Sequence, residues 1–229
     1  MISIIAPTRK RPQNVIRFVD SIINTVSNVQ NVELLVYIDD DDEESIPALQ
    51  YAAERLNVNA VQGNKLIGSQ MYNELGKLAQ GDIFFFGADD IVFKTPQWDV
   101  IVEQEFAKYE DRILFVYGED GFQRGRIGTH GFIHRYWVEL VGYVLPPKLA
   151  SAYTDEWITD LAERIGRKCY MPNLIIEHIH PAVGKAPQDE TYQKRIEVAG
   201  DIGAYYKSLE GDRARDAQKL KDFIAIFTS

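Results

Sequence analysis

Several short stretches of this chain concentrate residues that could do chemistry. Phe84 to Asp90 reads FFFGADD: three phenylalanines bury a strand, and Asp89 and Asp90 leave its tip together. Adjacent carboxylates on a rigid apolar support repel each other unless a cation or a base partner compensates. Hard oxygen ligands of this kind suit Mg²⁺ or Mn²⁺, which can bridge a protein to phosphates. The plain alternative is a turn whose Asp residues bond locally. EHIHP, Glu177 to Pro181, puts His178 and His180 on one face of a strand by its period of two. Two imidazoles could join a cation there. With Cys169 as the single cysteine they are no zinc site by themselves, and a surface strand bearing paired histidines is the alternative.

Three further stretches are acidic or basic. PTRKR, Pro7 to Arg11, follows an apolar strand, and a basic loop entering a helix N-terminus can hold a diphosphate; a solvated basic turn is the alternative. Asp39 to Glu44 is a run of carboxylates after a second apolar strand. Asp39 and Asp40 stand at the strand's end, where position is fixed and a base or ribose could be met. The remaining four read as solvent-facing, pushed outward by mutual repulsion. Thr154 and Asp155 open an amphipathic helix. Both favour helix starts as caps, the stronger reading on residue type alone, though a carboxylate there could equally act as a general base.

The elements that must position these groups alternate strand and helix in the first half of the chain, the pattern of a parallel sheet covered on both faces. Strands are expected at Ser3 to Ala6, Val32 to Ile38, Asp82 to Phe86, Ile113 to Tyr117 and Leu174 to Ile179. Helices are expected after Pro12, with Val15, Val19, Ile22 and Val26 at helical spacing, and over Pro47 to Leu56. Further helices follow from the stripe Ile67, Met71, Leu75 and Leu78, from Trp98 to Phe106, and after Asp155. A loop with Gly63 and Gly68 precedes the third helix, and Gly118 to Gly131 reads as a long functional loop. Every candidate group then follows a strand end or opens a helix, the edge where open α/β sheets bind ligands.

The 229 residues, 45% hydrophobic and 26% charged, suit one domain with a substantial core. No apolar run reaches the roughly 20 residues of a membrane span, and the opening MISIIAPTRKR has its charges after the apolar stretch, the reverse of a secretory signal. The lone Cys169 excludes an internal disulfide and points to a reducing, cytoplasmic setting. A net charge of −9 argues against nucleic-acid binding by bulk electrostatics.

Taken in order, strand-PTR-helix, strand-DD, SQMYNELGKLAQGDIFFFGADD, the acid at Asp155 with Gly166, and MPNLIIEH resemble the GT-A glycosyltransferases, family 2 in particular. The tail HPAVGKAPQDETY is similar to small glycosyltransferase-like proteins of phages and their bacterial hosts. The resemblance spans roughly residues 2–181. It implies a Rossmann-like nucleotide-sugar-binding fold, a largely parallel central sheet with helices on both faces. The domain is expected over residues 1–187, with a helical C-terminal extension over 188–229 packed on it.

By the resemblance, Pro7, Thr8 and Arg9 would line the nucleotide pocket, Asp39 would meet the base, and Asp40 the ribose. Asn73 would support the sugar nucleotide and Lys185 would close on the diphosphate. Asp89, with Asp90 beside it, would hold Mn²⁺ or Mg²⁺ with His178, His180 being the alternative ligand. Asp155 would deprotonate the acceptor. Gly87 stands where the family's first Asp usually does, so the cation would have fewer protein ligands; Thr154 stands where a Glu commonly precedes the catalytic acid.

The implied activity is sugar transfer from a nucleoside diphosphate sugar, a UDP-sugar favoured, to an acceptor hydroxyl with inversion. Rival readings are a nucleotidyltransferase on the same fold and a non-catalytic nucleotide-sugar-binding module. Arg124, Arg126 and Arg135, between the metal motif and Asp155, suit an anionic polysaccharide or hydroxymethylated bases in phage DNA as acceptor. No feature specifies the oligomeric state.

Overall fold

The apolar runs read from the sequence become buried strands, and the computed structural model describes them within residues 1–187 and 202–228. Strands β1 (Ile2–Ile5), β2 (Val32–Asp39) and β4 (Ile83–Phe86) are buried along their whole length. With β3 (Asn57–Gly63), β5 (Ile91–Phe93), β6 (Phe115–Glu119), β7 (Gly131–His134) and β8 (Lys168–His178) they form one sheet, ordered β3-β2-β1-β4-β7-β6-β8-β5. The β3-β2-β1-β4 half is parallel. Strand β7 runs antiparallel to both β4 and β6, β6 pairs parallel with β8, and β5 pairs antiparallel with β8. The carboxyl ends of β1, β2, β4, β6 and β8 therefore share one edge. The amino ends of β5 and β7 return to that same edge.

Side-chain alternation sends successive residues to two cores. Ile4, Leu34 and Phe85 pack with α1 (Pro12–Thr25), α2 (Ile46–Ala53) and α4 (Trp98–Ala107) on one face. Their neighbours Ile5, Leu35, Phe84 and Phe86 pack on the other face with α3 (Gly68–Leu78), α5 (Arg135–Val141) and α6 (Thr154–Arg164). This is the α/β architecture with helices on both faces that the strand–helix alternation led one to expect.

After α7 (Ile202–Ser208), helix α8 (Glu210–Thr228) docks on α5 and α6. Its Arg213 lies buried over the Tyr206 ring at 4.0 Å and pairs with Glu210 at 2.7 Å. Residues 188–201 and 229, part of the expected extension, lie outside the described residues. No helix among the described residues is long and apolar enough to cross a membrane.

Several features differ from the sequence reading: β5 and α5 have no counterpart in it, and β8 begins at Lys168 rather than near Leu174. The segment expected as a loop after residue 56 forms β3, an edge strand whose side chains are mostly exposed. The glycine-rich stretch is a loop only over 120–130, because Gly131 starts β7. There a side chain would strike Phe115, since a Cβ at 131 would sit 2.3 Å from its ring. Ile67 and Leu78, counted in the apolar stripe of α3, are exposed, and Leu75 alone of the stripe is fully buried. Asp42, assigned to solvent, is buried: it accepts from Lys10 N at 2.7 Å and from the Ser45 hydroxyl at 2.8 Å, tying the basic loop to the acidic one.

The register of β6 and β8 matters most for function, because residues at their ends carry the candidate site. Gly118 sits where that register shifts, and a Cβ there would lie 2.0 Å from the Leu174 carbonyl oxygen. Overpacking against backbone cannot be relieved by a rotamer change. Gly118→Ala is expected to destabilise the fold by about 2 kcal/mol or more, measured as a lower urea midpoint at unchanged slope.

Candidate active site

The carboxyl edge of the sheet carries a cavity of about 690 Å³. Asp90, His130 and His178 line it on one side, and Asp155 and Glu156 from the first turn of α6 line it too. Each element delivers its group for a local reason. Gly87 follows the end of β4, and the Tyr72 hydroxyl of α3 donates to its carbonyl at 2.5 Å, fixing the turn. A Cβ at position 87 would stand 2.6 Å from the Phe85 ring. An aspartate therefore does not fit there in this packing, which accounts for the departure at that position.

The two acids of the turn part company. Asp89 accepts from the Thr8 hydroxyl at 2.6 Å and from Arg11 at 3.2 Å. Asp90 faces the other way, its Oδ2 3.4 Å from His178 Nε2. Burial raises the Asp89 carboxyl to about 6, with the nearby Asp90 adding to the rise and Arg11 opposing it. Of the two acids expected at the cation, Asp90 is the one that stands beside the late histidine. Successive side chains leaving a strand tip point to opposite sides, and Arg11 and Thr8 occupy the side of Asp89.

His130 enters just before β7, whose antiparallel run brings its amino end beside the tip of β4. The His130 and His178 rings are 4.8 Å apart and nearly perpendicular. One ligand-type atom from each of Asp90, His130 and His178 lies within 4.8 Å of the others. His180 is close, 4.9 Å ring to ring from His178, yet outside this group. It stacks on Phe122 at 5.0 Å, and its Nδ1 accepts from Ala182 N at 3.1 Å.

These residues fit a cation. The set offers one carboxylate and two imidazoles, and His178 Nδ1 is buried with no hydrogen-bond partner among the described residues. Such a buried orphan is unusual in a native structure. His130 was not singled out in the sequence as a ligand. Its signal, a histidine between two glycine-rich turns just ahead of an apolar GFI run, becomes readable only once β7 is known to return to the β4 tip.

The remaining candidates sit around this centre. Arg9 pairs with Asp39 and makes a forked contact with Asp41 at 2.6 and 2.9 Å, while Asp40 is exposed. Pro7, Thr8 and Arg9 lie on the far side of Asp89 and do not line the main cavity. Asn73 holds a loop: its amide donates to the Leu145 carbonyl at 2.9 Å and its oxygen accepts from Val144 N at 2.8 Å. That leaves little of the side chain for a ligand, and its effect on the cavity passes through Leu145, which lines it. Lys185 pairs with Glu177 at 2.9 Å.

Asp155 is not the cap of α6. Tyr153, in the left-handed region at φ 65°, is the cap residue, Thr154 donates to the Ser151 carbonyl at 3.0 Å, and Asp155 lines the cavity. Arg124, Arg126 and Arg135 do not line it, and no Lys or Arg does among the described residues. Arg135 instead donates to the Ala79 and Gly81 carbonyls at the opposite edge, at 2.8 and 2.6 Å.

Solved structures share this fold. The mannosyltransferase PcManGT from Pyrobaculum calidifontis, in complex with GDP-Man and Mn²⁺, matches with a TM-score of 0.71 at 14% identity, over 97% of this chain and 69% of that one. S. aureus TarS 1-349 in complex with UDP-GlcNAc matches with a TM-score of 0.64 at 14% identity, over 97% of this chain and 71% of that one. The longer S. aureus TarS chain matches with a TM-score of 0.64 at 14% identity, over 77% of this chain but only 36% of its own length. No protein-family model and no curated protein sequence matches the chain. The architecture is therefore that of the GT-A-type glycosyltransferases, a likeness of fold.

In the Asp89–Arg11 pair the carboxylate is buried and the guanidinium partly so, and removing Arg11 leaves the buried charge of Asp89 with less compensation. Arg11→Met is expected to cost about 3 kcal/mol in chemical denaturation at pH 7.5. The penalty exists only while Asp89 is ionised. Because Arg11 holds the Asp89 pKa down, the variant's Asp89 takes up its proton at a higher pH than the wild type's. The penalty should therefore be largest at high pH, shrink as the pH falls toward about 6, and vanish below it, where wild-type Asp89 is itself protonated. A loss that is the same at pH 7.5 and pH 5 would contradict this coupling.

Proposed function

We propose that the protein transfers a glycosyl unit from a nucleoside diphosphate sugar to an acceptor hydroxyl. The observation that carries this reading is that the Asp90–His130–His178 cluster and the Asp155 carboxylate line one cavity at the carboxyl edge of a GT-A-type sheet. The ligands named for the structural neighbours, GDP-Man with Mn²⁺ and UDP-GlcNAc, support a nucleotide-sugar donor. The proposal takes a UDP-sugar as the favoured donor and a GDP-sugar as its competitor. The family 2-like assignment is part of the proposal.

In this reading Asp90, His130 and His178 would hold a divalent cation, whose chemistry there would be to offset negative charge on the leaving diphosphate. Two imidazoles with one carboxylate suit Mn²⁺ better than Mg²⁺, which prefers an all-oxygen shell. Pro7, Thr8 and the Arg9–Asp39 pair form the nucleotide side, with Asp40 toward the ribose and Lys185 closing on the phosphates. Asp89 joins the two halves through Thr8 and Arg11. Asp155 accepts the proton of the acceptor hydroxyl as that oxygen attacks the anomeric carbon from the side opposite the diphosphate, which inverts the centre. The absence of Lys and Arg from the described lining, together with Asp155 and Glu156, suits an uncharged saccharide hydroxyl better than DNA or another polyanion.

Calorimetry with UDP and GDP, each with Mn²⁺ and with Mg²⁺, followed by turnover of the corresponding sugars, tests the reading. Wild type is expected to bind one nucleotide in a metal-dependent way, more tightly with Mn²⁺. Asp155→Asn should keep that affinity and lose about 10²–10⁴ in turnover, the usual worth of a positioned base. Failure of both nucleotides to bind with either metal, or full turnover by Asp155→Asn, would overturn it.

A further inference from the structure

The loop over residues 120–130 brings His130 to the cluster, and one buried carboxylate organises it. Asp120 follows β6 and is 5% exposed. Its Oδ1 accepts from the backbone N–H groups of Phe122, Gln123 and Arg124, each at 2.8 Å. Its Oδ2 accepts from the Thr129 hydroxyl at 2.9 Å, and its backbone carbonyl accepts from His178 N at 2.9 Å. Thr129 Oγ1 in turn lies 3.3 Å from His130 Nδ1.

The chemistry of these groups fixes a proton. A carboxylate accepts and does not donate, and a threonine hydroxyl has a single hydrogen to give. With that hydrogen directed at Asp120, Thr129 offers His130 only a lone pair. Nδ1 must then be the donor in the contact, which leaves Nε2 as the nitrogen with a lone pair. Imidazole in water favours the opposite tautomer, so the arrangement acts against an intrinsic preference.

We infer that Asp120 and Thr129 form a relay that holds His130 as the Nδ1–H tautomer, reserving Nε2 for the cluster with Asp90 and His178. Thr129 is thus a positioning residue, acting through His130. The ligand role of His130 rests on the proposed metal site, whereas its tautomer does not. A histidine ligand whose second nitrogen is anchored in this way gains both orientation and basicity, and removing such an anchor typically costs 10–100-fold in metal affinity.

The test uses full-length protein labelled with ¹⁵N-histidine, free of metal, at pH 7.5. A long-range ¹H–¹⁵N correlation reads which ring nitrogen carries the hydrogen, with His130→Gln assigning the signal. Wild type is expected to show His130 as Nδ1–H. Thr129→Val, which keeps the shape and removes the hydroxyl, should shift it toward Nε2–H, and Thr129→Ser should restore it. Mn²⁺ calorimetry on the same proteins should show about 10–100-fold weaker binding for Thr129→Val and near wild-type binding for Thr129→Ser.

An Nε2–H tautomer in wild type overturns the relay, and needs no variant to fold. An affinity that Thr129→Val leaves unchanged overturns the positioning role. Wild type that shows Nδ1–H yet binds no Mn²⁺ overturns the metal reading instead.

Discussion

Two adjacent carboxylates buried at the tip of an apolar strand are the constraint from which the rest of the site follows. Asp89 and Asp90 are each less than 7% exposed. Neither can stay ionised there without compensation, because desolvation and mutual repulsion both act against the charged form. The fold meets the requirement in opposite directions. Arg11 and Thr8 reach Asp89 from the loop after β1. His178, from the end of β8, and His130, ahead of β7, reach Asp90. One tip thus ties the basic loop after β1 to the half of the sheet that carries the histidines.

The antiparallel β7 is what makes the second half possible. A purely parallel sheet would return its chain to this edge only at carboxyl ends. Strand β7 instead starts at the edge, so the residue before it, His130, can stand beside the tip of β4. The packing of Phe85 against Gly87 leaves no room for a carboxylate two residues earlier in the turn. His130, just ahead of β7, brings a second imidazole to Asp90 and His178. Asp120 ties that imidazole's loop to the backbone of His178, so the two histidines are placed by one buried residue.

The parts of this arrangement visible in the sequence were those carried by local pattern. The strand IFFF is a continuous apolar run, VELLVYI is apolar but for Glu33, and the helix after Pro12 has a clear apolar period. The acids after β2 and β4 announce themselves by abrupt changes of polarity. What escaped was set by distant contacts. Strand β3 is an exposed edge with no apolar alternation, β5 is three residues long, and β7 lies in a stretch dominated by glycine. The choice between Asp89 and Asp90 depends on Arg11 and Thr8, some 80 residues away in sequence. Asn73 fell at an expected spacing, but its amide is spent on the backbone of residues 144 and 145. Asp42 looked like one more solvated acid in a run, and only the fold shows it buried against Lys10 N and Ser45.

The central claim is that one cation is shared by Asp90, His130 and His178, with Asp89 turned away to Arg11. Anomalous diffraction from a crystal soaked with Mn²⁺ and the nucleoside diphosphate tests it most directly. The account predicts a single peak in the main cavity, about 2.0–2.4 Å from an Asp90 oxygen and from one nitrogen of each histidine. A peak coordinated by Asp89, or none within reach of the two imidazoles, would contradict it.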